Sequence, residues 1–251
     1  MEALEHPSPL VAFINLLLSP LHIHVPDHLV FVALITLFIL FIGLTIRASL
    51  SVDKPGKLQI ILEDVVSFLL GVLEGNMGKK GRKFLPLLGT IFVFILIGNL
   101  MGQVPGLGSP TSNINVPLAL ALTLWLYYHA QGVIANGPVN YLKHFAVMPG
   151  VPIALAPMIF VIEIISHLSR VLSLTLRLFG NIFGEHLVVL IIASIVPFIA
   201  PLPIQFLGLI VGPLQAFIFL TLGAIYLTAA THVDDHGDEY GGEEPPAPAA
   251  H

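Results

Sequence analysis

VPIALAPMIFVIEIISHLSRVLSLTLRLFGNIFGEHLVVLIIA, residues 151–193, is an apolar stretch that nevertheless carries Glu163, Arg170, Arg177 and Glu185. These four are the only Asp, Glu, Lys or Arg residues inside any long hydrophobic segment of the chain. Each charge at bilayer depth costs about 2.5–3.5 kcal/mol on insertion scales, so four on one helix require a reason. At roughly 100° per residue, with Glu163 at zero, Ser166 falls near −60°, Arg170 near −20° and Ser173 near −80°. On the same scale Arg177 falls at about −40°, Asn181 at about 0° and Glu185 at about +40°. The polar groups therefore form one stripe, roughly 120° wide, on a surface that is otherwise Ile, Leu, Val and Phe. That stripe must face protein or water, because it cannot face lipid.

Composition points the same way. Of 251 residues, 56% are hydrophobic and 10% charged, with a mean hydropathy of +0.93. A soluble domain carries about 25% charged residues, so the chain is read as an all-α integral membrane protein. Five segments are long enough to cross about 30 Å of hydrocarbon: residues 29–47, 84–104, 115–136, 151–193 and 200–230. There is no cysteine, hence no disulfide frame and no thiolate chemistry. Met1–Pro9 is acidic and proline-containing, unlike the basic start of a cleaved signal peptide.

Residues 1–28 read as an extramembrane segment. Its His22, His24, Asp27 and His28 suit a loop near the membrane surface, the competing reading being a metal-binding group. Residues 57–76 set Glu63, Asp64 and Glu74 among Leu, Ile, Val and Phe, which suits an amphipathic helix lying in the interface. The Lys79, Lys80, Arg82 and Lys83 cluster that follows is a topology signal beside a span rather than a nucleic-acid patch. Eight of the ten Lys and Arg residues lie outside the polar-stripe helix: Arg47, Lys54, Lys57, Lys79, Lys80, Arg82, Lys83 and Lys143. All fall in two loops that five crossings place on one side, so the positive-inside rule sets the N-terminus outside and the C-terminus inside. Trp125, Tyr127 and Tyr128 on the third span read either as interface anchors or as part of the polar interior.

The 151–193 stretch is too long for a perpendicular span. About 43 residues would reach roughly 65 Å, so it is expected to be strongly tilted, broken near Gly180 or Gly184, or both. It pairs with residues 200–230 as a hairpin. There Gly208, Gly212, Gln215 and Tyr226 fall within about 60° of one another, small residues admitting a close neighbour and Gln215 able to bond across. Residues 231–251, with Asp234, Asp235, Asp238, Glu239, Glu243 and Glu244 among Pro and Gly, have the composition of a disordered acidic tail.

Arginine is the informative member of the stripe. Its guanidinium stays charged even in poor solvent, so it is a poor proton relay but a good electrostatic barrier. It is also a good temporary partner for a carboxylate that must be ionised at one moment and neutral at the next. Glu163 and Glu185 flank Arg177 at roughly 21 Å and 12 Å along the axis, as two partial proton routes divided by a fixed positive charge would require. The blander alternative makes Glu163–Arg170 and Arg177–Glu185 packing ion pairs, although their spacings exceed an i,i+4 bridge.

Arg177–Leu178–Phe179–Gly180–Asn181, with Ser173–Leu174 before it and His186–Leu187 after it, resembles the signature of subunit a of F-type ATP synthases. Leu214–Gln215–Ala216–Phe217–Ile218–Phe219 and Gly98–Asn99–Leu100–Met101 resemble further motifs of that family, and the likeness covers about Asp27 to Ala230. The resemblance implies a non-catalytic proton-channel subunit, without cofactor or metal, in a bacterial inner membrane. Its implied partners are a ring of c subunits, the b-subunit peripheral stalk, the other ATP synthase subunits and lipid. Arg177 would face the ring carboxylate and separate two aqueous half-channels, coupling proton flow to rotation and ATP synthesis. Asn181 and Gln215 match positions near the arginine and the outer channel, His186 an outer-channel position, and Glu163, Ser166 and Arg170 the inner stretch.

Two positions depart from the pattern. Glu185 stands where the family usually has a small residue, and Gly208 where an ionisable partner of the His186 site often lies. Glu185 is therefore expected to supply the missing acid from within the same helix, although it is displaced from His186 by about 100°. The alternative class is a secondary ion transporter with an intramembrane charged site, which would require repeats and discontinuous helices; no repeat is evident. A zinc-type intramembrane protease would need His-Glu-x-x-His, which is absent.

Overall fold

A computed structural model of the chain describes residues 25–51, 55–104, 107–141, 155–196 and 199–231, with residues 11–12 and 15–16 before them. His22, His24, Lys54, Lys143 and the acidic tail beyond Thr231 lie outside the described residues. Among the described residues all regular structure is helical: α1 (Asp27–Ser49), α2 (Lys57–Met77), α3 (Leu85–Met101), α4 (Asn115–Asn136), α5 (Ala156–Ile195) and α6 (Leu202–Thr231). A 3-10 segment, Gly78–Phe84, joins α2 to α3, and a shorter one, Pro110–Ser112, lies before α4. Five helical stretches, with α2 and α3 counted together, are long and apolar enough to cross a membrane. The chain is an all-α membrane protein.

The ends of the helices follow local chemistry. Pro26 precedes α1, whose first turn carries Asp27 and whose last turn carries Arg47, each charge complementing the helix dipole. Gly78 (φ 60°) and Gly137 (φ 75°) end α2 and α4 in the backbone region that glycine enters without penalty. Their N–H groups close on the carbonyls of Glu74 and Val133.

α5 is one unbroken helix of 40 residues, running through both Gly180 and Gly184. It is about 60 Å long. Exposed Val161, Ile165, Leu172, Leu176, Leu190 and Ile195 line it along nearly its whole length. A helix that long, apolar throughout, fits about 30 Å of hydrocarbon only when steeply inclined. The break expected near Gly180 or Gly184 is absent, which leaves tilt as the expectation.

α6 is the central helix and packs against α2, α3, α4 and α5. It runs antiparallel to α5, with Asn181 opposite Gln215 and Arg170 opposite Tyr226. It also runs antiparallel to α3, where glycine permits close approach: a Cβ on Gly223 would sit 2.8 Å from Leu88 Cδ2, and one on Gly212 would sit 3.2 Å from Asn99 Cβ. The core gathers Leu88, Ile95, Leu124, Leu178, Phe219 and Leu220, all of them buried. Without a hydrophobic drive between helices in lipid, such close packing and interhelical hydrogen bonds are what hold the bundle.

One polar knot fastens the bundle at the end where α3 stops. Buried Asn99 donates to the Gly212 carbonyl (3.1 Å) and accepts from the Thr111 hydroxyl (2.8 Å). Ser109 donates to the Gly98 carbonyl and shares a hydrogen bond with Thr111. The loop before α4 is thus tied to both α3 and α6. α1 joins at this same end, its Phe31 filling the space above Gly108 and its Ile35 reaching Gly98. Asn99→Ala should strand these partners at about 1–3 kcal/mol for each buried group left unpaired. The expected result is a lower unfolding midpoint in detergent and faster proteolysis of the loop before α4.

Candidate functional site

The stripe predicted on residues 151–193 is carried by α5, and its polar groups fall into three stations along that helix. At the middle station Arg177 is exposed on the surface of the chain, with exposed Leu172 and Leu176 beside it. Its Nη2 donates to Ser173 Oγ at 3.4 Å, and no carboxylate among the described residues pairs with it. Four residues on, Asn181 donates from Nδ2 to Gln215 Oε1 at 3.0 Å, joining α5 to α6. Gln215 is buried, and its Nε2 meets no acceptor among the described residues. A cation without an acid and a buried amide without an acceptor thus sit one turn apart.

At the second station Glu185, His186, Gln103 and Gly208 converge. Gln103 Nε2 donates to Glu185 Oε1 at 2.8 Å. A Cβ built on Gly208 would fall inside the Glu185 carboxylate, so the acid on α5 fills the space that a side chain at 208 would take. The carboxylate therefore lies across the α5–α6 contact, which the angle from His186 alone did not reveal. The neighbouring His186 Nε2 faces the backbone of Gly102, against which a Cβ would come within 3.3 Å, and has no hydrogen bond of good geometry. Gln103 is the residue that sequence reading missed here. Its signal was its spacing, one helical turn from Asn99 at the end of α3.

The third station lies around Glu163. The carboxylate is 3.2 Å from His167 Nε2, an i,i+4 contact, and not on Arg170. Arg170 instead stacks its guanidinium over the Tyr226 ring of α6, 5.0 Å from the centroid, a cation–π contact that keeps the charge without an acid. Neither packing ion pair, Glu163–Arg170 or Arg177–Glu185, is present among the described residues. Ser166 is half-buried beside Glu163, and its carbonyl accepts from Ser169 Oγ at 2.7 Å.

His167 is buried, and its Nδ1 is 2.7 Å from the Tyr128 hydroxyl on α4. Tyr128 is fully buried, so it is a partner of this station and not an interface anchor. His129 stacks beside them, 4.7 Å from the His167 ring, with its Nδ1 2.8 Å from the Tyr141 hydroxyl. Burial pushes the Tyr141 phenol, beyond the end of α4, up to about 12, so it keeps its proton. His167 was legible only as an i+4 neighbour of Glu163, and the tyrosines only as polar groups on another span.

A multi-pass helical membrane protein with a fixed cation on its apolar flank, and acids spaced to either side of it, belongs to the class of membrane-embedded ion-conducting subunits. The family described as "ATP synthase A chain" matches residues 28–228, and the chain belongs to that family. It is 39% identical over 224 residues to "ATP synthase subunit a" of Geotalea daltonii, covering 88% of this chain and 96% of the relative. It is 48% identical over 189 residues to "ATP synthase subunit a" of Nitratidesulfovibrio vulgaris (strain DP4), covering 75% and 79%. Against the protein of the same name from Geobacter sulfurreducens the identity is 39% over 224 residues, covering 88% and 96%.

The second station gives a direct test of its geometry. Gly208→Ala should expel the Glu185 carboxylate and lower the detergent unfolding midpoint, whereas Gly208→Ala with Glu185→Gly should lose most of that penalty. A double-mutant cycle should show coupling of about 0.5–3 kcal/mol between the two positions; additivity would contradict the contact.

Proposed function

We propose that the chain is the proton-translocating stator subunit of an F-type ATP synthase, a membrane component without ATP chemistry of its own. The observation that carries this reading is Arg177, a permanent cation on an apolar helix surface with no carboxylate among the described residues to meet it. Charge in hydrocarbon is costly, so the acid that balances it belongs to a neighbour. A ring of c subunits, each presenting one carboxyl group, is the partner of that chemistry.

The mechanism follows from the stations. The eight basic loop residues favour the N-terminus outside and the C-terminus in the cytoplasm of a bacterial inner membrane. On that orientation the Glu185–His186 station serves the outer half-channel and the Glu163–Ser166–Arg170 station the inner one. A proton entering from outside passes Glu185 and His186 and neutralises the ring carboxylate. The neutral carboxyl can then turn into lipid, which the ionised form cannot. After nearly a full revolution it reaches the inner route, releases the proton and meets Arg177 as an anion. Because the guanidinium does not give up its proton, Arg177 blocks direct flow between the routes. Asn181 and Gln215 hold the α5–α6 contact beside it, and the Gln215 amide nitrogen keeps its N–H groups unpaired among the described residues. α2, with Glu63 and Asp64 exposed and Leu69, Leu73 and Met77 buried, suits a position in the membrane plane beside the peripheral stalk of b subunits. The continuous courses of α5 and α6 lack the broken helices that a transporter working by alternating access would need.

Arg177→Ala in the assembled synthase should reduce proton-driven ATP synthesis to background while ATP hydrolysis by the soluble sector persists; coupled synthesis near the wild-type rate would overturn the reading. Glu185→Gln should slow synthesis by roughly tenfold or more, the loss expected for a missing acid–base group. Full activity in that variant would remove Glu185 from the route.

A further inference from the structure

The function just proposed leaves His167 without a role, although the histidine is buried on the polar side of α5, hydrogen-bonded at Nδ1 and 3.2 Å from a carboxylate at Nε2. We propose that His167, bridging Glu163 and Tyr128, is the proton-holding group of the Glu163-side route. This rests on the stator reading above, and it adds a residue to the proton path.

The geometry suits storage of one proton. Nε2 points at Glu163 Oε1 (3.2 Å) and Nδ1 at the Tyr128 hydroxyl (2.7 Å). With hydrogen on Nδ1, the neutral ring donates to the phenol oxygen, which carries two lone pairs, and Nε2 faces a protonated Glu163. When that proton crosses the 3.2 Å contact to Nε2, the ring becomes an imidazolium beside the Glu163 carboxylate and keeps its contact with the phenol. The proton can therefore pass between Glu163 and the ring in either direction without the ring turning. Imidazole, with an ordinary pKa near 6.5, is the side chain suited to hold it at near-neutral pH. A carboxyl group alone, ordinarily ionised above about pH 4.3, would be a poor reservoir there.

The surroundings act on the charge of the ring. Along α5, the Glu163 carboxylate favours the imidazolium and the Arg170 guanidinium opposes it. From α4 come Tyr128 and His129, from the turn after α4 comes Tyr141, and from α6 comes Tyr226. His129 lies so close that two imidazoliums side by side would repel strongly. Tyr226 is held under the Arg170 guanidinium. Within this cluster His167 meets the carboxylate directly, at 3.2 Å. Glu163 is the half-exposed member, its side chain 26% accessible against 10% for His167. Water therefore exchanges protons at Glu163, and His167 holds them behind it. His167 is also four residues nearer Arg177, about 15 Å along the axis against about 21 Å for Glu163.

The test uses the whole synthase in inverted membrane vesicles, with ATP-driven proton pumping followed from about pH 6 to about pH 9, the range across which an imidazole changes charge. His167→Gln keeps a polar group of similar reach but cannot titrate. It should lower pumping roughly tenfold and abolish the limb of the pH profile that titrates with the imidazole, at unchanged content of assembled complex. Tyr128→Phe keeps the ring and its packing and should displace that limb by about half a unit or more, since one hydrogen bond to the imidazole is lost. Should His167→Gln fail to assemble, Tyr128→Phe carries the test alone. Profiles that superimpose on wild type after scaling to assembled complex would overturn the relay. If Arg177→Ala abolishes coupling while those profiles superimpose, the relay alone is rejected; if Arg177→Ala remains coupled, the stator reading beneath it fails.

Discussion

A guanidinium cannot shed its charge, and hydrocarbon cannot accommodate one. That constraint shapes the whole molecule. It explains why α5 collects its polar groups on one stripe while leucine and isoleucine occupy the rest of its surface. It also explains why α6 lies alongside with Gly208 and Gln215 turned toward the stripe. The remaining helices build a platform behind this hairpin. Asn99 ties α3 and the loop before α4 to the Gly212 carbonyl, and Asn136 ties the end of α4 to the Ala230 carbonyl at 2.9 Å. Side-chain amides at opposite ends of α6 thus fix its position by bonding to backbone rather than to one another.

The three stations differ in how each handles charge. Around Arg177 no carboxylate among the described residues neutralises the cation. Around Glu185 a side-chain amide, which cannot titrate, holds the carboxylate in place. Around Glu163 a second titratable ring meets the acid directly. Acidic, fixed and shared charge therefore follow one another along a single continuous helix. Its rigidity keeps their separations constant.

Much of this was legible in the residues because bilayer chemistry leaves a chain few options. Twenty or so apolar residues in a row admit one reading, and four charges within such a run stand out. The structure accordingly holds five helical stretches long and apolar enough to cross a membrane. Other features were not legible because they depend on which helices touch. Glycines at 180 and 184 permit a break but do not compel one, and α5 runs through both. His167 falls near the edge of the stripe by angle, so only its contact with Tyr128 of another helix reveals it. Gln103 and Glu185 are 82 positions apart, and no local pattern predicts that they meet.

The side-chain position left empty at 208 is filled from the facing helix. Anything larger than hydrogen there would occupy the volume now filled by the Glu185 carboxylate. The carboxylate is the far end of a flexible side chain, so added bulk at 208 would turn it out of the seam between the two helices and leave the backbone in place. Positions 185 and 208 thus share a single volume, which one of them can fill at a time.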